Sequence, residues 1–365
     1  MEVKLKTKEL QSMVTEAIEC VSNNKLIPLT SLMAIEVKYN KLTLITTDAT
    51  NYLYIIEDKV VADDFYVVID ANTFSKLVSK MTCENITLNL KENVQILEVK
   101  GNGNYKIELP LDENGQPIKY PDPYYKLSEV QDAGTVNRST IQVILETIKP
   151  ALATTLENPC YTGYYMKDKV VATDTYKIAS MEVPMFDEAK LISPELLDLL
   201  SVMTAEKIKV DICNNDIIYS TPDCIVCGKF MEGIEDYAID AISGLVDTEF
   251  DSFCSVPKSA LMQLLDRLSL FVGPYDKNAI QLTFTRDGLQ VTSKAENGVE
   301  IINYVASDNF KDFTCQIDIQ MLTQEVKAIS NDVIEMYYGE DNAIKMTDGN
   351  ITIIVALLED DTDDE

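Results

Sequence analysis

Apolar residues recur along this chain in two rhythms, one with the period of a helix and one with the period of a strand. From Thr7 to Val21, the residues Leu10, Met13, Val14, Ala17 and Ile18 share one helical face, and Asn23 and Asn24 end the run. Met1 to Lys6 alternates like a strand, as do Ser31–Tyr39, Lys41–Thr47 and Tyr52–Glu57, with Asn40 a turn residue. A second helix is predicted over Ala71–Met81, with Phe74, Leu77, Val78 and Met81 inward and Asp70 as N-cap. Strands at Ile86–Leu90, Val94–Gly101 and Asn104–Leu109 follow. Asp112 to Tyr125, rich in proline, reads as a linker.

The order then restarts. A helix is predicted at Ser139–Leu152, strands through Tyr161–Met185, a helix at Pro194–Met203, and strands at Ile208–Cys213, Ile217–Ser220 and Cys224–Met231. A second boundary is expected near Ser243–Phe250. Beyond it come a helix bearing Leu261, Leu264, Leu265 and Leu268, strands at Ile280–Phe284, Leu289–Ser293 and Val299–Ala306, a helix at Ile319–Ser330, and strands at Val333–Tyr338, Ala343–Thr347 and Ile351–Leu358. Two stretches share a strand, Thr-Asp, strand design: Leu42–Ile56 around Thr47-Asp48, and Val170–Val183 around Thr173-Asp174. Asp48 and Asp174 are 126 residues apart, and the fainter Leu289–Glu296 places Ser293 120 residues after Thr173. A period of one domain implies three repeats, at 1–125, 126–249 and 250–365, each with two helices on antiparallel strands: an α+β fold.

Composition narrows the chemistry. Of 365 residues, 46% are hydrophobic, enough for several cores, while 60 acidic against 31 basic residues leave a net charge of −29. A broad cationic face is therefore unavailable, and any contact with nucleic acid must use locally placed lysines. The absence of histidine excludes His-based nucleophile relays, general bases and metal ligands. Eight scattered cysteines and no apolar leader point to reduced thiols in the cytoplasm, and no apolar run is long enough to span a membrane. Cys224-Ile225-Val226-Cys227 has metal-like spacing but no second pair, so buried cysteines on a strand explain it, and no metal or cofactor is expected. Gly101-Asn102-Gly103 reads as a hairpin, not a phosphate cradle.

The element order, the repeat and several segments resemble the bacterial-type DNA polymerase sliding clamp, the β subunit. Thr173-Asp174-Thr175-Tyr176-Lys177-Ile178 is similar to that family's Thr-Asp-Gly-His-Arg-Leu, and Thr46-Thr47-Asp48 to its Gly-Thr-Asp. Lys25-Leu26-Ile27-Pro28 and the apolar run Ile353–Leu358 fall at comparable places. The resemblance implies a clamp-type α+β fold of three domains. It also implies a head-to-tail homodimeric ring around duplex DNA, which tethers a replicative polymerase and is opened by an ATP-driven clamp loader.

By the same resemblance, Thr162, Thr173, Thr175, Tyr176, Lys177 and Ile178 line one side of a pocket for a linear client peptide. Ile354, Val355, Ala356, Leu357 and Leu358 line the other. Thr-Asp beside a turn is also ordinary hairpin chemistry. The departures at Thr175, Tyr176 and Lys177 imply an altered peptide preference and leave a phage-encoded version of the clamp open. The tail Glu359–Glu365 reads as a solvated acidic run, or as a rim that favours basic clients.

A sliding ring needs sparse cations rather than a tight grip on phosphate. Candidates are Lys25, Lys76, Lys80, Arg138, Lys149, Arg267 and Lys327, with Glu16, Glu146 and Glu325 on the same helices opposing them. The expected function is a non-enzymatic processivity factor. Two other readings are a metal-dependent hydrolase using clustered carboxylates, which predicts one convergent acidic pocket, and an acidic protein that mimics DNA, which would never load onto a circle.

Overall fold

The computed structural model describes all residues except 59, 61, 92–94, 122–129, 251, 294–296, 309, 340–341 and 360–365. The first third holds β1 (Glu2–Lys6), α1 (Thr7–Ala17), β2 (Leu32–Lys38), β3 (Lys41–Thr47), β4 (Tyr52–Asp58), β5 (Phe65–Asp70), α2 (Ala71–Ser79), β6 (Asn85–Lys91), β7 (Ile96–Lys100) and β8 (Asn104–Glu108). The middle third holds β9 (Gln131–Asn137), α3 (Arg138–Val143), β10 (Tyr164–Met166), β11 (Val170–Thr173), β12 (Lys177–Met181), β13 (Lys190–Ile192), α4 (Pro194–Leu199), β14 (Lys207–Cys213), β15 (Asp216–Ser220), β16 (Cys224–Lys229) and α5 (Ile239–Val246). The last third holds β17 (Ser252–Pro257), α6 (Lys258–Leu268), β18 (Ala279–Thr285), β19 (Gly288–Ser293), β20 (Val299–Ile302), β21 (Val305–Ala306), β22 (Phe313–Asp318), α7 (Ile319–Ala328), β23 (Val333–Tyr338), β24 (Ala343–Asp348) and β25 (Ile351–Ala356).

Every named pairing is antiparallel, as consecutive strands with short turns require. Residues 1–141 with 195–230 form one compact unit, and residues 142–194 with 231–365 form another. The first unit contains a sheet of order β1-β6-β7-β8 and an eight-stranded sheet, β5-β2-β3-β4-β16-β15-β14-β9. The second contains a nine-stranded sheet, β13-β10-β11-β12-β25-β24-β23-β17-β21, and a sheet of order β20-β19-β18-β22. The middle third thus splits its strands between two sheets, one extended from β4 and the other from β25. Cores follow the predicted faces: Leu10, Met13, Val14 and Ala17 of α1 are buried, as are Phe74 and Val78 of α2. Burying each such large side chain contributes roughly 1.5–3 kcal/mol.

The structure differs from the sequence pattern chiefly at β5, β9, β13, β17 and β22, which were not expected as strands. Each runs into the following helix with at most one residue between, so no turn residue marks the junction. Asp70 performs the transition as expected, accepting the Thr73 N–H at 2.7 Å, and Asp318 does the same for Gln320 and Met321. β9 escapes notice for another reason: only Val136 along it is buried, so it lacks alternation. The helix expected at Ser139–Leu152 changes pitch, with a π turn at Ile144–Ile148 and a 3-10 turn at Lys149–Ala151, where Pro150 cannot donate a helical bond. The boundary expected at Ser243–Phe250 is helical through Val246, because Ile239, Ile242 and Val246 form an apolar stripe. Of the proline-rich linker, Tyr120 is buried and donates its hydroxyl to Leu32 O, while residues 122–125 lie outside the described residues. Among the described residues no helix is long and apolar enough to cross a membrane.

Candidate partner-peptide site

The turn between β11 and β12 is built by side chains that replace backbone partners. Thr173 donates its hydroxyl to Lys177 O at 2.6 Å and accepts the Thr175 N–H at 3.0 Å. Asp174 Oδ1 accepts the N–H groups of Tyr176 and Lys177 at 2.9 and 2.7 Å. The cost falls on Thr175, whose φ of +78° lies in the left-handed region that a β-branched residue rarely enters. The turn between β3 and β4 is the same device: Thr47 bonds Asn51 O at 2.5 Å, Asp48 Oδ1 accepts from Thr50 and Asn51, and Ala49 takes φ +91°. At the end of β19, Ser293 exchanges hydrogen bonds with Gly298 instead, and residues 294–296 of that fainter copy lie outside the described residues.

This geometry sorts the expected pocket residues. Thr175 and Tyr176 point outward, Tyr176 with 61% of its surface exposed. Thr173, Lys177 and Val355 are buried: the first two hold the turn together, and Val355 lies opposite Lys177 in the β12–β25 pairing. Lys177 turns inward because acceptors await it: Pro150 O at 2.6 Å, Gln324 Oε1 at 2.9 Å and the Glu325 carboxylate at 3.2 Å, with Asp174 Oδ2 at 3.7 Å. Glu325 is itself fully buried, so it cannot repel DNA from a helix surface as the sequence suggested. Burial pushes its carboxyl up to about 7, against the opposing pull of Lys177.

β12 and β25 pair directly, Ile178 opposite Ile354 and Lys177 opposite Val355, and Ala356 donates its N–H to Tyr176 O at 2.9 Å. The turn and the chain's last strand are thereby side by side. Ile178 and Ile354 join Tyr165, Val171, Leu191, Tyr237, Ile242 and Val246 in one apolar cluster, with half-buried Tyr161, Met231, Ile234 and Ile239 at its margin. Ala356, at the end of β25, and Leu357 and Leu358 beyond it are half-buried. Thr162 is half-buried and closes its own 3-10 turn by bonding Pro159 O. Sequence reasoning missed the wall supplied by α5 and by Tyr237, whose hydroxyl bonds Val171 O at 3.2 Å; the helical spacing of Ile239, Ile242 and Val246 was the available signal.

Residues 1–116 match the family described as DNA polymerase III beta subunit, N-terminal domain. Over nearly its whole length the chain also superposes on solved clamp structures. One is the DNA polymerase sliding clamp of Bacillus subtilis, with TM-score 0.84, 14% identity and 99% of both chains covered. Another is the DNA polymerase beta subunit of Streptococcus pyogenes, at 0.86 and 16%, covering 99% of this chain and 100% of that one. A third is the DNA polymerase III beta subunit of Thermotoga maritima, at 0.81 and 18%, covering 98% and 99%. No curated protein matches the chain in sequence. The chain has the sliding-clamp fold of the bacterial DNA polymerase III beta subunits.

Within this fold the candidate DNA-facing cations fare unequally. Lys76 and Lys80, at the end of α2, and Lys327, on α7, are exposed. Lys25 is exposed on a loop tied to α2 by the Asn23–Asn72 hydrogen bond. Arg138 and Lys149 are half-buried at helix ends. Arg267 is engaged by Glu300 in a two-pronged ion pair, Nε to Oε1 at 2.8 Å, and so has little charge to offer a phosphate. Among the described residues no group of acids and cysteines comes together as a metal site.

Proposed function

We propose that this chain is a DNA polymerase processivity factor, a head-to-tail homodimer that encircles duplex DNA and tethers its polymerase through the groove at Ile178 and Ile354. The observation that carries the reading is a repeated rule of sheet joining. β4 pairs with β16, and β12 pairs with β25; each join links the third strand of one four-stranded set to the last strand of another. Two strands in equivalent positions, β20 and β8, stand at open sheet edges. An unpaired edge invites another chain, and β20 of one copy meeting β8 of a second repeats the rule and closes a ring. Val299 and Ile301 on β20 are 52% and 66% exposed, and Leu270 and Phe271, which follow α6, are 80% and 48% exposed, supplying apolar surface for such a joint.

The chain then acts as three clamp domains, 1–125, 126–249 and 250–365, in the cytoplasm. It catalyses nothing; its effect is to raise the local concentration of polymerase at a primer end. An ATP-driven loader opens the ring. Lys25, Lys76, Lys80 and Lys327 provide the sparse attraction to phosphate that sliding requires. The test is loading onto nicked circular DNA followed by linearisation. Protein that slides off the linear form supports the ring; protein retained on it, or never loaded, returns the choice to the hydrolase and DNA-mimic readings.

A further inference from the structure

The groove at the end of β12 has an unusual electrostatic rim. Its wall is formed by a 3-10 turn (Ile234–Asp236) and by α5, and no Lys or Arg occurs in the sequence between Lys229 and Lys258. Glu232, Glu235, Asp236, Asp240, Asp247 and Glu249 in that segment are all exposed. None of the ion pairs among the described residues involves them. Two cations held at the groove are already committed. Lys177 is buried against Glu325, Gln324 and Pro150 O, and Lys345 caps α5 by donating to Val246 O at 2.7 Å and Thr248 O at 3.1 Å. The buried apolar cluster of Ile178, Ile354, Ile242 and Val246 thus lies beside a margin of exposed carboxylates, of which Asp247 and Glu249 act on Lys345 while Glu232, Glu235, Asp236 and Asp240 form no ion pair among the described residues.

We infer that the groove takes an amphipathic peptide of positive charge, its apolar anchors on that floor and its lysines or arginines against the acids of the turn and α5. This rests on the reading of the groove as a client site. Charge arranged in this way selects among peptides that share the same anchors, because a cationic flank is attracted to the rim and an anionic one must be held against it. The rim acids are in water, so the selection is strong only when salt is low.

The test uses two labelled octapeptides that share a central Leu-Ala-Leu-Phe, one flanked on both sides by lysine pairs and the other by glutamate pairs. Binding to the full chain is read by fluorescence anisotropy. The lysine peptide is expected to bind at least about tenfold tighter at low salt, with the gap closing to about threefold or less when salt is raised tenfold. Asp236→Asn with Asp240→Asn should close most of the low-salt gap. Glu113→Gln with Asp287→Asn, which removes the same charge outside the rim, should leave the gap intact. Equal affinities, or a tighter glutamate peptide, overturn the inference while leaving the groove as a client site. An equal loss in both double variants overturns the local rim in favour of the chain's net charge. Binding of neither peptide overturns the groove reading itself.

Discussion

Lys177 Nζ and Glu325 Oε1 lie 3.2 Å apart, with side-chain exposures of 5% and 0%. The carboxylate oxygens have no hydrogen bond of good geometry, so the contact is an ion contact across a short gap, and burial dominates the titration of Glu325. A carboxyl held at about 7 when folded, against a usual 4.5, binds its proton more tightly in the native state. Its contribution to stability is therefore complete below the unfolded value and is lost as pH rises through about 7, by about 3 kcal/mol at most. Without histidine, few other side chains titrate in this window. Urea midpoints measured between about pH 5 and 8 should fall for the native chain, and Glu325→Gln should flatten that slope.

Lys177→Met probes the same contact from the other side. It leaves Glu325 buried without a cation, a loss of about 3–5 kcal/mol for an ionised partner. The loss should be smaller at pH 5, where the carboxyl takes up a proton. A urea titration at the two pH values checks this, and an equal loss at both would show that packing of the lysine stem is what matters.

Thr175 holds a left-handed φ of +78° for the sake of the Asp174 turn. Thr175→Gly removes that strain but loosens the unfolded chain, so the net gain should be about 0.5–1 kcal/mol. Ala49→Gly, at φ +91°, should act in the same direction but more weakly, since alanine has no branch at Cβ. Thermal or urea unfolding of the two variants provides the comparison.

Ile301, 66% exposed on the open edge strand β20, can be changed to Asp with little effect on the folded monomer. If β20 meets β8 of a second copy, the charge should be buried at the joint and weaken association by about 2 kcal/mol or more. Sedimentation should show the native chain at twice the 40.9 kDa chain mass, and the variant shifted toward a single chain at equal concentration.

The Arg267–Glu300 pair predicts that Arg267→Ala leaves loading on circular DNA unchanged, because its charge is already neutralised. Lys76→Glu with Lys80→Glu, two exposed positions on one helix end, should reduce retention and lower the salt dependence of binding. Filter binding across a salt series separates the two cases.

Much of this fold is legible from local pattern. The stripes of α1, α2 and α6, the hairpins around Asn40 and the two Thr-Asp turns each depend on residues close in sequence, so a period of 3.6 or 2 and an Asx turn suffice to locate them. Strands that enter a helix without a break, such as β5 and β22, and the polar edge strand β9 carry no such mark. The inward turn of Lys177 was beyond local reading for a stronger reason. Nothing near position 177 foretells Pro150 O, Gln324 and Glu325, which arrive from up to 148 residues away once β12 pairs with β25. The sequence by itself determined the helical stripes, the hairpins, the two Thr-Asp turns and the absence of histidine chemistry. Only the tertiary structure decided which of Thr175, Tyr176, Lys177 and Ile178 are exposed and which are buried, because the burial of a charged side chain depends on the groups that distant segments bring to it.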